Sequence, residues 1–168
     1  MKIGLLSDTH SYLDPTIFDY FKDCDEIWHA GDFGTVEIFE QLNAFKPTIG
    51  VYGNIDGIDV RIVLKENLLI TRNGATILLT HIGGSPSKYT ARVKSLIALH
   101  KPDIFVCGHS HILRVVSDPA YKNMLYLNPG AAGKEGFHRM RTLLRFEIND
   151  GKIANMQVIE LGLRGKQL

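Results

Sequence analysis

Much of what would mark a specialised class is missing from this chain. Its two cysteines, Cys24 and Cys107, form no Cys-x-x-Cys pair, so neither a disulfide framework nor a thiolate metal site is expected. Cys107 ends the apolar run Ile104-Phe105-Val106 and reads as packing. No apolar run approaches the roughly 18 residues of a membrane span. The opening Met1-Lys2-Ile3-Gly4-Leu5-Leu6-Ser7-Asp8 is too short in apolar residues for an export signal, which needs roughly 7–15, and a reducing cytoplasm is the expected setting. Charge of one sign is absent too: 19 Lys and Arg stand against 18 Asp and Glu, which argues against nucleic-acid or anionic-membrane binding. A P-loop fails because Gly133-Lys134 is followed by Glu135 and residue 128 is Asn128 where glycine is required. No Gly-x-Gly-x-x-Gly follows the first expected strand, and Gly83-Gly84-Ser85-Pro86 is not a serine-hydrolase elbow.

What remains is an ordinary globular composition, 45% hydrophobic and 22% charged over 168 residues, enough for one domain spanning 1–168. Lys2 to Ser7, Glu26 to Ala30 and Thr48 to Gly53 read as buried strands, separated by helical patterns at Pro15 to Lys22 and Thr35 to Phe45. That alternation predicts a parallel sheet covered by helices. Leu68 to Thr71 and Thr76 to His81 flank Asn73-Gly74, a strong hairpin signal. Pro86 to His100 reads as a helix and Asp103 to Cys107 as a strand. Four strand-like segments then close the chain, the last two joined by Asp150-Gly151.

Residues able to hold a metal fall just after these strand ends. Asp8 and His10 follow the first strand, Asp32 the second in His29-Ala30-Gly31-Asp32, and Asn54 the third in Gly53-Asn54-Ile55-Asp56. His81 follows the hairpin, and His109 and His111 follow the Ile104 strand in Gly108-His109-Ser110-His111. In open α/β sheets such loops converge on one edge, where ligands bind. Each piece alone has an ordinary explanation, as a cap, a turn former or a core imidazole. The argument for a shared site is five such elements in register with five strand ends. Among the other histidines, His29 is divided between packing and holding a ligand or phosphate. His100 reads as structural. His138, with Lys134, Arg139 and Arg141 after Asn128-Pro129-Gly130, lies in a loop that could reach a phosphate, although a solvated basic turn is the simpler reading.

Taken in order, Asp8-x-His10, Gly31-Asp32, Gly53-Asn54, His81 and Gly108-His109-x-His111 resemble the motifs of the calcineurin-like metallophosphoesterases over nearly the whole chain. The Gly-Asn-x-Asp form and Asn128-Pro129-Gly130 are similar to its small bacterial and archaeal phosphodiesterase branch, to which the retromer sorting subunit is also similar. The resemblance implies an α/β fold, a four-layer αββα sandwich with mixed β-sheets and a dimetal site at the strand carboxyl ends. It implies two divalent metal ions per chain, Mn first, with Ni, Fe, Zn or Co as alternatives. By matching positions Asp8, His10, Asp32 and His111 would hold one, and Asp32, Asn54, His81 and His109 the other, a donor mix that suits such metals.

The implied reaction is in-line attack on phosphorus by a hydroxide shared between the metals, with Asp32 and Asn54 as catalytic residues and Asn54 and Arg139 contacting substrate. Two dications against Asp8, Asp32 and a hydroxide leave one positive charge. A phosphodiester monoanion neutralises it, so a small phosphodiester is the expected substrate. Many family members carry His after Gly-Asn as a candidate general acid; here Ile55 stands there, and His29 is the first substitute to consider. The rival expectation is a protein-binding scaffold of the same fold with a weak or vestigial metal site, which would expose a large apolar patch.

Overall fold

Period-two alternation along the strands sets the layers. In β1 (Lys2–Leu6), Ile3 and Leu5 enter one apolar core while Leu6 enters another on the opposite face. β2 (Glu26–His29) repeats this, with Trp28 on the first side and Ile27 on the second. A computed structural model describes residues 1–165; residues 166–168, the end of the expected 1–168 span, lie outside the described residues.

Two mixed five-stranded sheets result. The first has the order β10-β9-β1-β2-β3, where β3 is Thr48–Gly50, β9 is Met140–Asn149 and β10 is Lys152–Leu163. Its β1, β2 and β3 are parallel, and β9 and β10 are antiparallel additions. The second has the order β4-β5-β6-β8-β7, with β4 Asn67–Arg72, β5 Ala75–Thr80, β6 Ile104–Val106, β7 Leu113–Asp118 and β8 Met124–Pro129. Here β5, β6 and β8 run parallel. Both expected hairpin turns form: Asn73 and Gly74, like Asp150 and Gly151, have the paired positive φ angles that a two-residue turn needs.

Between the sheets Ile3, Leu5, Trp28 and Phe146 meet Ile77, Leu79, Val106 and Leu127. An ion pair also crosses this layer: Arg72 Nε of β4 lies 2.8 Å from Glu26 Oε2 of β2, whose other oxygen accepts from Trp28 Nε1 at 2.8 Å. On the outer face of the first sheet α1 (Thr16–Phe21) and α2 (Val36–Phe45) bury Ile17, Phe21, Ile38 and Leu42. On that of the second, α4 (Ala91–His100) buries Val93 and Ile97 against Phe105 and Tyr126. The layers are therefore helix, sheet, sheet, helix.

Two expected boundaries shift and one element is new. The helix expected over Pro86 to His100 begins at Ala91, because Thr90 caps it by accepting from Val93 N–H at 3.3 Å while 85–88 make a turn. The third strand ends at Gly50, and Val51 makes only an isolated bridge to Lys65. A further helix, α3 (Ile58–Val63), was not expected: Ile58-Asp59-Val60-Arg61-Ile62-Val63 alternates as a strand would, and only Val60 is buried.

Gly4 shows how tightly the outer layer sits. A Cβ there would lie 2.7 Å from ring carbons of Phe21, so α1 packs directly on the backbone of β1. Gly4→Ala is expected to lower stability by about 1–3 kcal/mol through overpacking. Urea denaturation would measure it, and an unchanged midpoint would show that Phe21 moves aside freely.

Candidate metal centre

The parallel strands of both sheets deliver their carboxyl ends to one edge. The β1 end supplies Asp8 and His10, the β2 end Asp32, the loop after β3 Asn54, the β5 end His81, and the β6 end His109 and His111. Their donor atoms gather into two groups, Asp8 with His10 and His111, and Asp32 with His81 and His109, each within 4.8 Å. Each group joins residues from both sheets, so the site exists only where the sheets meet.

Ligand spacing is right for metal bonds of about 2.0–2.2 Å, which place neighbouring donor atoms roughly 3–3.5 Å apart. His111 Nε2 is 3.1 Å from Asp8 Oδ1, and His81 Nε2 is 3.2 Å from Asp32 Oδ2. Asp32 Oδ2 faces the other group as well, 3.5 Å from His10 Nε2. Asn54 Oδ1 completes the second group, 3.1 Å from His81 Nε2.

Two further observations test whether a cation fits. Asp8 Oδ1 and His10 Nε2 are buried and have no hydrogen-bond partner among the described residues, a state that costs about 1–3 kcal/mol per group unless something else satisfies it. Secondly, His81 Nδ1 lies 2.8 Å from the Ala30 carbonyl, which can only accept; Nδ1 therefore carries the proton and Nε2 points at two more oxygens, those of Asp32 and Asn54. Burial opposes charging His81, but the Asp32 hydrogen bond and the Asp8 charge outweigh it and hold its pKa above the ordinary imidazole value. For Asp32, burial would raise the pKa, but His81 and the Ile55 N–H outweigh it and lower it. Positive charge is what would balance these carboxylates and imidazoles, and the donor set of each group fits a divalent cation.

The backbone is bent to present these side chains. Asp8, His10, Asp32, His109 and His111 all have φ between 47° and 67°, the left-handed region that costs non-glycine residues about 1–3 kcal/mol each. The preceding glycines give room: a Cβ at Gly53 would overlap the Asp32 carboxylate, and one at Gly108 would overlap Ser7 and crowd Asp8. Asp56 ties the loops together, accepting from Gly34 N–H at 2.8 Å and Gly53 N–H at 2.7 Å. Asn128 braces the last loop by donating to the Gly108 carbonyl at 2.9 Å and to Ser110 Oγ at 3.1 Å.

His29 does not fill the role of general acid. It is fully buried, stacked 3.6 Å from the Phe33 ring, with Nδ1 accepting from Gly31 N–H at 3.2 Å and Nε2 3.0 Å from Thr9 Oγ1. Desolvation pushes its pKa down to about 3, so it is a neutral brace between two site loops. Arg139 is likewise not gathered with the donors; it lies exposed on a surface groove with Phe137, Leu163 and Arg164. Its neighbour His138, which the sequence suggested was a solvated basic residue, is drawn in: Nε2 is 3.0 Å from the Gly133 carbonyl and Nδ1 is 3.1 Å from His111 Nδ1. Since the carbonyl requires Nε2–H, His138 Nδ1 accepts from His111 Nδ1–H, which leaves the His111 Nε2 lone pair toward Asp8. A histidine a few residues beyond Asn-Pro-Gly was the available signal, but the chain returning from β8 to β9 decides which way it faces.

A model of the calcineurin-like phosphoesterase superfamily domain matches residues 1–151. A probable metallophosphoesterase of Methanothermobacter thermautotrophicus is 30% identical over 141 residues, 78% of this chain and 77% of that protein. A phosphodiesterase of Methanocaldococcus jannaschii is 30% identical over 151 residues, 77% of this chain and 83% of its own. The solved structure of Vps29 from Entamoeba histolytica, complexed with Zn²⁺, superposes with a TM-score of 0.73 at 18% identity, covering 98% of this chain and all of that one. Sandwich layers, ordered motifs and sequence match agree, and the chain belongs to the calcineurin-like phosphoesterase superfamily.

Proposed function

We propose that this chain is a phosphodiesterase that works with two divalent cations, one held by Asp8, His10, Asp32 and His111 and the other by Asp32, Asn54, His81 and His109. The observation that carries this reading is the Asp32 carboxylate, whose Oδ2 faces an imidazole of each group, beside the buried Asp8 Oδ1 and His10 Nε2, which find no hydrogen-bond partner among the described residues. Two such ions supply a nucleophile at neutral pH and charge stabilisation on phosphorus. Asp32 fixes the spacing of the two groups, and the Asn54 amide, with Oδ1 turned to His81, leaves its N–H₂ to donate to a phosphoryl oxygen. His138 positions His111 through the hydrogen-bond chain from the Gly133 carbonyl.

A phosphodiester, with one negative charge, suits a site where Asp8 and Asp32 offset most of the cationic charge. At the usual general-acid position Ile55 offers the leaving group nothing, and its backbone N–H is spent on Asp32 Oδ1 at 3.1 Å. The leaving group must depart with little help from a protein acid.

A second reading, a scaffold that docks a protein partner, draws on α3. Ile58 and Ile62, 74% and 76% exposed, share a helical face beside the exposed Ile55 and Val63.

The deciding measurement is hydrolysis of bis(4-nitrophenyl) phosphate by protein stripped with chelator and reloaded with Mn²⁺. Turnover is expected to need the metal, to exceed that of 4-nitrophenyl phosphate, and to fall at least about 100-fold in Asp8→Ala. Inert protein with metal shown to be bound would favour the scaffold. Across a series of aryl diesters the rate is expected to fall steeply as leaving-group pKa rises; a flat plot would reveal an acid worth about 10²–10⁴-fold. His138→Ala is expected to weaken Mn²⁺ binding about 10- to 100-fold at one of two sites in calorimetry, with His138→Gln retaining more. Unchanged binding at both sites would remove His138 from the centre.

A further inference from the structure

Beside the Asp32 group opens a recess of about 210 Å³ whose lining includes Asn54, His81, Arg61, Arg92 and Glu66. Two of its walls are arginines, one from α3 and one from the first turn of α4. Arg61 donates from Nε to the Asp56 carbonyl at 2.7 Å and from Nη2 to the carbonyls of Gly53 and Asn54 at 3.3 and 3.4 Å, and its guanidinium lies 4.6 Å over the Tyr52 ring. Arg92 donates to Asn67 Oδ1, to Thr80 Oγ1 at 2.9 Å and to the Ile82 carbonyl at 3.3 Å.

None of these acceptors is charged. They fix the two guanidiniums without neutralising them. Among the described residues no carboxylate lies within ion-pair distance of Arg61, and Arg92 meets only Glu66, at 3.8 Å and with that side chain 52% exposed. Such an exposed pair is weak and screened by solvent. The recess therefore keeps a net positive charge, pre-oriented and next to the residues proposed to hold the scissile phosphate. A guanidinium matches phosphate oxygens in pairs, and two of them reaching from different elements can grip a tetrahedral anion from two sides, which a flat carboxylate suits less well.

We infer that this recess receives a second phosphate of the substrate, so that the preferred substrate is a phosphodiester carrying a further phosphate on one arm. The inference rests on the phosphodiesterase reading and adds the class of substrate to it. Arg92 is the specificity residue. Arg61 contributes to the same recess while also holding the Gly53-Asn54 loop, so Arg92 is the cleaner probe.

Two esters with one leaving group separate the possibilities: thymidine 5′-(4-nitrophenyl phosphate), and the same compound bearing a 3′-phosphate. With Mn²⁺-loaded protein the 3′-phosphate is expected to raise kcat/KM about 10- to 100-fold, mostly through KM. In Arg92→Gln that advantage should shrink to within about 2-fold, while the ester without the 3′-phosphate keeps its wild-type kcat/KM. A purely structural Arg92 would depress both substrates together and lower the melting temperature. Equal kcat/KM for the two esters in the wild type would overturn the inference while leaving the phosphodiesterase reading intact. If neither ester is hydrolysed, that reading falls only when bis(4-nitrophenyl) phosphate is inert as well, and in either case binding decides the recess. Thymidine 3′,5′-bisphosphate should bind at least about 10-fold tighter than thymidine 5′-phosphate in calorimetry, with the difference lost in Arg92→Gln; equal affinities would dismiss the second phosphate.

Discussion

Everything at the working edge depends on two carboxylates, Asp8 and Asp32, being held where water hardly reaches them. Both are buried, and one Asp8 oxygen has no hydrogen bond among the described residues. Uncompensated burial of this kind is strongly unfavourable, and it persists only when surrounding structure enforces it and positive charge answers it. His10, His81, His109 and His111 are arranged around those oxygens, and the two-sheet architecture is what brings them there. One sheet supplies the carboxylates, and the other supplies three of the four imidazoles.

Enforcement comes from the layer beneath. Five candidate ligands sit in left-handed backbone conformations, and side-chain bonds from Asp56 and Asn128, with the buried His29, tie their loops to one another. Strain of this sort at adjacent positions is stable only on a rigid support, which the Trp28–Phe146 core and the Glu26–Arg72 pair across the sheets provide. The loop side chains are thus pre-set, so little reorganisation remains when a ligand arrives.

Strand ends were legible because burial on both faces writes continuous apolar runs, and because Asn-Gly and Asp-Gly admit few conformations other than a tight turn. For the same reason Asp8, His10, Asp32, Asn54, His81, His109 and His111 could be read as one set: each follows such a run. α3 was not legible, since its six residues alternate and its apolar side chains face outward. Nor were the roles of His29 and His138. Identical side chains, one in a strand and one in a loop, became a sealed brace and a partner of His111 according to packing that no local pattern records.

The sequence by itself determined the period of most elements, their succession along the chain and the chemical identity of the donors, because these follow from local sterics and from which residue types can bind a cation. Tertiary structure alone decided which donors share a group, that Asp32 faces both, and that Arg61 and Arg92 from separate helices line one recess. Those relations join residues tens of positions apart, and their distances are set by how two twisted sheets pack face to face.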